Sequence, residues 1–239
     1  MNILIFGATG SIGNYLFKKF SELKYNVIGT TSQISKLNDL IKLDKLDNLV
    51  NLVYVNTEEN NLDELLKLDN LDGIVWAHGY NFNDNIYKFD EDEYMKIMNI
   101  NVLFILKTLN FLLKHNKINN NAKLVIISSI WEELSRDNKL SYSISKSALS
   151  GMVKNLSYDL SEKNILINNI LPGVIDNDMT RKTLKQENIE YIEKYMKFNR
   201  LINLDDIYNT IKFLLIDNTG ITGQSIKVDL GFTNIKKYN

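Results

Sequence analysis

From end to end the chain alternates short apolar runs with longer amphipathic stretches, and nothing else in its 239 residues constrains the fold as much. The apolar runs are 2–6 (NILIF), 26–29 (NVIG), 52–55 (LVYV), 73–77 (GIVWA), 123–128 (KLVIIS), 165–171 (ILINNIL) and 225–228 (SIKV). Each is short enough for a strand. They are apolar at successive positions, as strands need to be when helices cover both faces of a parallel sheet. Helical periodicity fills 11–23, 34–46, 62–68, 90–114, 141–162, 179–197 and 204–216 between them. The alternation predicts an α/β, doubly wound parallel sheet of about seven strands with helices on both faces. No repeat or Pro/Gly-rich linker breaks the pattern, so 1–239 reads as one domain, and the Asn-rich 117–123 (KINNNAK) reads as a surface loop.

Composition narrows the functional classes. A net charge of −1 gives neither a nucleic-acid footprint nor a basic membrane patch. The absence of Cys excludes disulfides and thiolate ligands, and no metal site is expected. The N-terminus lacks a cationic leader, and no apolar run approaches the roughly 18 residues of a bilayer span. A cytoplasmic protein with a small-molecule substrate, no nucleic acid and no membrane is the expectation.

Two patterns carry chemistry. The first strand runs into GATGSIG, which sets Gly7, Gly10 and Gly13 at a strand–turn–helix junction. Glycine allows the tight turn and the close approach of backbone to a pyrophosphate, and the helix N-terminus offers N–H groups to the anion. The second pattern is Ser129, Tyr142 and Lys146 within SSIWEELSRDNKLSYSISK. Tyr142 and Lys146 lie four apart and share a helical face. An ammonium beside the phenol favours phenolate and brings its pKa toward the working range, while a hydroxyl such as Ser129 orients a carbonyl for the proton. Such a centre needs a hydride donor opposite.

With these motifs the chain resembles the short-chain dehydrogenase/reductase family, in its short single-domain branch and nearest to 3-oxoacyl-acyl-carrier-protein reductases. GATGSIG is similar to the family's glycine loop, VWAHG (75–79) to its N-N-A-G, and NINV (99–102) to the segment carrying its helical Asn. ISSIW with YSISK supplies Ser, Tyr thirteen later and Lys four further on; INNILPGVIDNDMTR (167–181) and GITGQSIKVDLGF (220–232) complete the order. The resemblance covers nearly the whole length and implies a Rossmann-like fold binding NADP or NAD.

It further implies that Tyr142 is the general acid and base, that Lys146 lowers its pKa and holds the nicotinamide ribose, and that Ser129 bonds the substrate oxygen. The family spacing selects Ser129 over Ser128. Asn101 is implied to support a water chain relaying protons to Lys146. The implied cofactor contacts are Gly7, Thr9, Gly10, Ser11, Ile12, Gly13, Thr30, Thr31, Ser32, Asn56, Ala77, His78, Gly79, Tyr142, Lys146, Pro172, Gly173, Val174 (through its backbone) and Asn177. Departures from the family pattern are Trp76 and His78 in N-N-A-G, Asn56 for an Asp, Asn177 for a Thr and Leu230 for a Gly. His78 reads as a packing residue.

Strand two ends VIGTTSQIS, with no acid before Asp39 to hold a ribose 2′-hydroxyl. Hydroxyls of Thr30, Thr31 and Ser32, with Lys36 nearby, favour NADP over NAD. A helical lid over about 176–200 is expected to cover the substrate. Apolar positions Ile144, Leu149, Met152, Val153, Leu156 and Leu160 exceed what one sheet face needs, and with the family's paired helices they predict a homodimer or homotetramer. The function expected is hydride transfer between a nicotinamide and a carbonyl or secondary alcohol. Two alternatives are a nucleotide-sugar epimerase or dehydratase and a non-catalytic nucleotide-binding sensor.

Overall fold

In the computed structural model, residues 1–32, 52–55, 62–177, 180–181, 186–195 and 198–234 are described. Seven strands form one sheet: β1 (Asn2–Phe6), β2 (Asn26–Thr31), β3 (Leu52–Tyr54), β4 (Leu71–Trp76), β5 (Ile118–Ile127), β6 (Leu166–Pro172) and β7 (Ser225–Val228). Every pairing is parallel, in the order β3-β2-β1-β4-β5-β6-β7. The order reverses between β1 and β4, which opens a crevice beyond their carboxyl ends, where sheets of this kind bind ligands.

The helices are α1 (Ser11–Glu22), α2 (Glu91–Lys114, with a π-turn at Asn99–Leu103), α3 (Leu140–Asp159), α4 (Gln186–Tyr195) and α5 (Leu204–Lys212). Successive strand residues point to opposite faces, so both faces are apolar. Leu4, Phe6, Ile74, Trp76, Leu124, Ile126 and Ile167 pack with Phe104, Ile105 and Leu109 of α2 and Leu149 and Val153 of α3. Ile3, Ile5, Val75, Val125 and Ile170 pack with Leu16, Phe17 and Phe20 of α1 and Ile207 and Ile211 of α5. Trp76 explains its own departure from the family pattern. Its ring stacks on Phe6 at 5.7 Å and its indole N–H donates to Thr108 Oγ1 at 3.0 Å, so a large buried side chain leaves no unpaired donor.

Three expectations change. The Asn-rich 117–123 is a bulged strand, not only a loop: Leu71 pairs with Ile118 but Gly73 with Lys123, and Asn121 turns through φ 64°. Residues 63–67 form a 3₁₀ turn in place of an α-helix. The apolar surplus of α3 largely packs inside the chain, since Leu149, Met152, Val153 and Leu160 are buried and only Ile144 of that set is exposed. The helix expected at 34–46 lies outside the described residues, as do Lys36 and Asn56. By length and composition α2 is apolar enough to cross a membrane, yet its inner side packs on the sheet through Ile97, Phe104, Ile105, Leu109 and Leu112.

Candidate active site

The glycine loop is fixed by sterics. Gly7 adopts φ +80°, and a Cβ there would meet the His78 backbone N at 2.8 Å. A Cβ on Gly13 would stand 2.2 Å from the Gly7 carbonyl oxygen, whereas one on Gly10 would clear it at 3.4 Å. Gly10 caps α1 with no side-chain cap, and the first turn has no acidic residue. The opening N–H groups of α1, at Ser11 and Ile12, thus face the crevice end without a helical acceptor. That donor set fits a pyrophosphate.

The hydroxyls at the end of β2 behave differently from the expectation. Thr30 and Thr31 are 3% and 2% exposed. Thr30 Oγ1 accepts from the Gly7 N–H at 3.4 Å, and Thr31 Oγ1 pairs with Thr9 Oγ1 at 3.2 Å. They tie the glycine loop to β2. Ser32 alone of the three is exposed.

At the ends of β4 to β6 the remaining residues converge. Ser129 follows β5, accepts from the Trp131 N–H at 3.3 Å and lies near enough to the Tyr142 phenol, in the first turn of α3, to lower its pKa. Ser128 faces elsewhere: its hydroxyl donates to Glu132 Oε2 at 2.6 Å. Lys146, one turn after Tyr142, is 4% exposed, donates to the Ile127 carbonyl at 2.9 Å and stands 5.7 Å from the Tyr142 ring centroid. Burial pushes the Tyr142 phenol up to about 12, with Ser129 pulling it down. Burial also brings the Lys146 ammonium down to about 8, opposed by the Glu132 carboxylate. Desolvation is thus the dominant influence on both groups.

Asn101 ties two segments of the site together. Its Oδ1 accepts from the Tyr80 N–H at 2.8 Å, and its Nδ2 donates to the Tyr80 carbonyl and Ser145 Oγ, both at 2.9 Å. The side chain clamps the loop after β4 to α3, with both N–H donors committed and one lone pair of Oδ1 uncommitted. The π-turn at this point in α2 brings the amide inward. His78 joins the clamp through Nε2 to the Ile100 carbonyl at 3.0 Å and packs edge-on against Phe104 at 4.5 Å. Burial, then Lys146, bring its pKa down to about 3, so the ring is neutral with its proton on Nε2. A Cβ on Gly79 would meet Asn101 Oδ1 at 3.6 Å and Lys146 Nζ at 3.9 Å. The bare glycine leaves the floor between those two groups open.

Past β6, Pro172 ends the strand and Gly173 packs where a Cβ would meet Ile202 at 2.8 Å. The Val174 carbonyl accepts from the Ile202 N–H at 3.1 Å. Asn177 Oδ1 accepts from the Thr180 N–H at 2.8 Å, so its amide oxygen caps the following turn and its NH₂ is what remains for a ligand. The Ala77 N–H is spent on the Phe6 carbonyl at 2.9 Å.

The sequence reading missed Glu132. Its buried carboxylate accepts from Ser128, from Asn169 Nδ2 at 3.3 Å and from Ser225 Oγ, linking β5, β6 and β7 beneath the Ser129 turn. Ser147 Oγ on α3 donates to the Glu132 carbonyl at 2.8 Å. A Glu inside a loop gives no periodic signal of burial; only the meeting of three strand ends does.

Comparisons with known proteins agree with this geometry. The family model described as Enoyl-(Acyl carrier protein) reductase matches residues 7–233. A 3-oxoacyl-(acyl-carrier-protein) reductase of Rickettsia bellii is 30% identical over 236 residues, covering 95% of each chain, and that of Rickettsia conorii 29% identical over 234 residues, again 95% of each. Among solved structures, 4-hydroxyisoleucine dehydrogenase complexed with NADH aligns over 98% of this chain and 99% of its own, at 27% identity and TM-score 0.83. Fold, donor set and relatives together define an NAD(P)-dependent oxidoreductase working between carbonyl and alcohol. The chain belongs to the short-chain dehydrogenase/reductase family.

Proposed function

We propose that the protein reduces a small-molecule ketone to a secondary alcohol with Tyr142 as general acid, Ser129 as carbonyl holder and Lys146 and Asn101 as supports. The observation that carries this reading is the convergence of the Tyr142 phenol, the Ser129 hydroxyl that pulls its pKa down and buried Lys146. A phenol pushed up to about 12 carries its proton at neutral pH, and the Lys146 ammonium on the same helical face stabilises the phenolate left when that proton is given up. Bound in reduced form, the nicotinamide nucleotide supplies a hydride to the carbonyl carbon. Tyr142 gives its proton to the carbonyl oxygen, so the C=O π bond is replaced by one C–H and one O–H bond. Lys146 holds the ribose hydroxyls near Tyr142, and Asn101 and His78 keep the Gly79–Tyr80 loop in place for that contact. The open first turn of α1, with Gly7, Thr9, Gly10, Ser11, Ile12 and Gly13, holds the pyrophosphate. The segment around Pro172, Gly173, Val174 and Asn177 flanks the carboxamide.

NADPH is the preferred donor in this reading, resting on Ser32 and on the lack of an acid among the described residues at the end of β2. The chain acts as a single domain, with α4 as part of a lid over the substrate. It works in the cytoplasm, without nucleic acid or membrane, as a homodimer or homotetramer. The assembly reading rests on Met95, Leu103 and Leu106 of α2 and Ile144 and Tyr158 of α3, all of which are exposed.

Titration with NADPH and NADH, followed by NAD(P)H oxidation with ketones, oxo acids and 3-oxoacyl thioesters and by product analysis with nucleotide sugars, tests the reading. Binding of NADPH and turnover of a ketone or oxo compound are expected. Binding without any turnover would favour the sensor; turnover of nucleotide sugars alone would favour the epimerase class.

A further inference from the structure

A second cation stands at the reaction centre, and the mechanism above has no use for it. Lys139 is the N-cap residue of α3, half-buried, with Nζ 5.8 Å from the Tyr142 ring centroid. Lys146 stands 5.7 Å from the same ring, so the phenol is flanked by two ammonium groups. The deeper one turns to the Ile127 carbonyl. Lys139 instead donates to Asn81 Oδ1 at 2.8 Å and Asn83 Oδ1 at 2.5 Å, in the loop that follows Gly79. Both partners are neutral amides. An ammonium has three donors, and two are satisfied here.

Its electrostatic setting is unfavourable for a merely structural lysine. The N-terminus of a helix carries positive partial charge and favours anions, yet α3 begins with Lys139. Arg136 lies close enough to lower the Lys139 pKa further, after burial, which is the larger cause. Arg136 itself rests against the Trp131 ring at 5.5 Å. Among the described residues no carboxylate stands within ion-pair distance of either cation. Asp84, the acid that does act on Lys139, is buried and committed: it accepts from the Ser141 N–H at 3.0 Å and from the Ser141 hydroxyl. Asp84 already caps α3, so Lys139 is not needed for that purpose. Nor is Lys139 sealed from ligands, since it lines a cavity of about 610 Å³ with Trp131 and Arg136; of the carboxylates on the same wall, Asp84 is held by Ser141, Glu132 by Ser128 and Ser225 and Glu133 by Lys227, while Asp137 is exposed to solvent.

We propose that Lys139, with Asn81 and Asn83, is a specificity-determining anion subsite, and that the substrate is an oxo acid whose carboxylate lies a few bonds from the reacting carbonyl. This rests on the oxidoreductase reading above and adds the substrate class to it. The carboxylate supplies the charge that the capping carboxyl of Asp84 does not, and the amide side chains that grip Lys139 bring further N–H donors to the same place. One ammonium with neutral amides matches a monoanion better than a phosphate, which draws arginine forks or a cluster of cations. Holding the substrate at both ends orients the carbonyl toward Ser129 and Tyr142.

Two measurements test this. In the first, 2-, 3- and 4-oxopentanoate are compared with their methyl esters in steady-state reduction. At least one acid should exceed its ester roughly tenfold or more in kcat/KM, the range of one charged hydrogen bond. Lys139→Met should lower kcat/KM for the acid far more than for its ester, chiefly through KM, and Lys139→Arg should restore the preference. Acids and esters reduced equally well by the wild type would overturn the subsite, and so would a preference that survives Lys139→Met. In the second, pentanoate and pentanamide are titrated against cofactor-free protein carrying ¹⁵N-lysine. Pentanoate alone should shift the Lys139 Nζ resonance, and no shift overturns the subsite whatever the activity. A protein that binds pentanoate at Lys139 but reduces neither acid nor ester sinks the reductase reading and leaves the anion site standing.

Discussion

The two halves of the crevice are built on different physics. On the β1–β2 side, position is set by what cannot fit: a Cβ on Gly13 would lie 2.2 Å from a carbonyl oxygen, and the Thr30 and Thr31 hydroxyls are consumed in holding the loop. On the β5–β7 side, position is set by polar groups removed from water: Asn101, Ser128, Ser129, Glu132, Ser145 and Lys146 are all under 9% exposed. The first half should respond to volume and hardly to pH. The second should respond to charge at nearly constant volume.

The largest expected effect tests the second half. Tyr142→Phe keeps the ring and removes the proton, so turnover should fall by a factor on the order of 10² or more while cofactor binding persists. Fluorescence titration beside NAD(P)H oxidation rates separates the two, and near-normal turnover would take Tyr142 out of the chemistry.

Next comes the steric half. Gly13→Ala forces a methyl into the Gly7 carbonyl and should cost about 1–3 kcal/mol, a fall of several degrees in Tm, together with cofactor affinity. Gly10→Ala has room and should melt near the wild type. Equal melting of the two variants would mean that sterics do not set this loop.

Charge without volume is tested by Glu132→Gln. Because Glu132 opposes the burial that brings Lys146 down to about 8, its neutralisation should move the alkaline limb of cofactor binding to lower pH. Lysine NMR of Lys146 reads this directly, and an unmoved titration would reduce Glu132 to a packing role. The stability sign differs from that of a paired lysine. The unfolded chain keeps this proton to 10.5 and the folded chain only to about 8, so between those values the unfolded state binds more protons. The contribution of Lys146 to stability therefore rises with pH over that window and is least below it.

The smallest effect is Ser32→Asp. With Thr30 and Thr31 occupied, discrimination falls to this exposed position, and an added carboxylate should shift preference from NADPH toward NADH by repelling the 2′-phosphate. Unchanged relative affinities would put discrimination outside the described end of β2.

By itself the sequence determined the parallel sheet and the glycine loop, because each is written in local spacing, while resemblance to the family singled out Ser129, Tyr142 and Lys146. Runs apolar at successive positions need two covered faces, and Tyr142 and Lys146 four apart need a shared helical face. Only the tertiary structure decided which groups remain free to act. Thr30 and Thr31 look like cofactor ligands until β2 is laid beside the glycine loop, and the two N–H donors of Asn101 look free until Tyr80 and Ser145 take them up. Glu132 and Lys139 carry no pattern at all. One gains its role from Asn169 and Ser225 on neighbouring strands, 37 and 93 residues away, the other from Asn81 and Asn83, 58 and 56 residues back. Burial and long-range hydrogen bonding set which donors are spent and which charges lack a partner, and neither is a property of nearest neighbours along the chain.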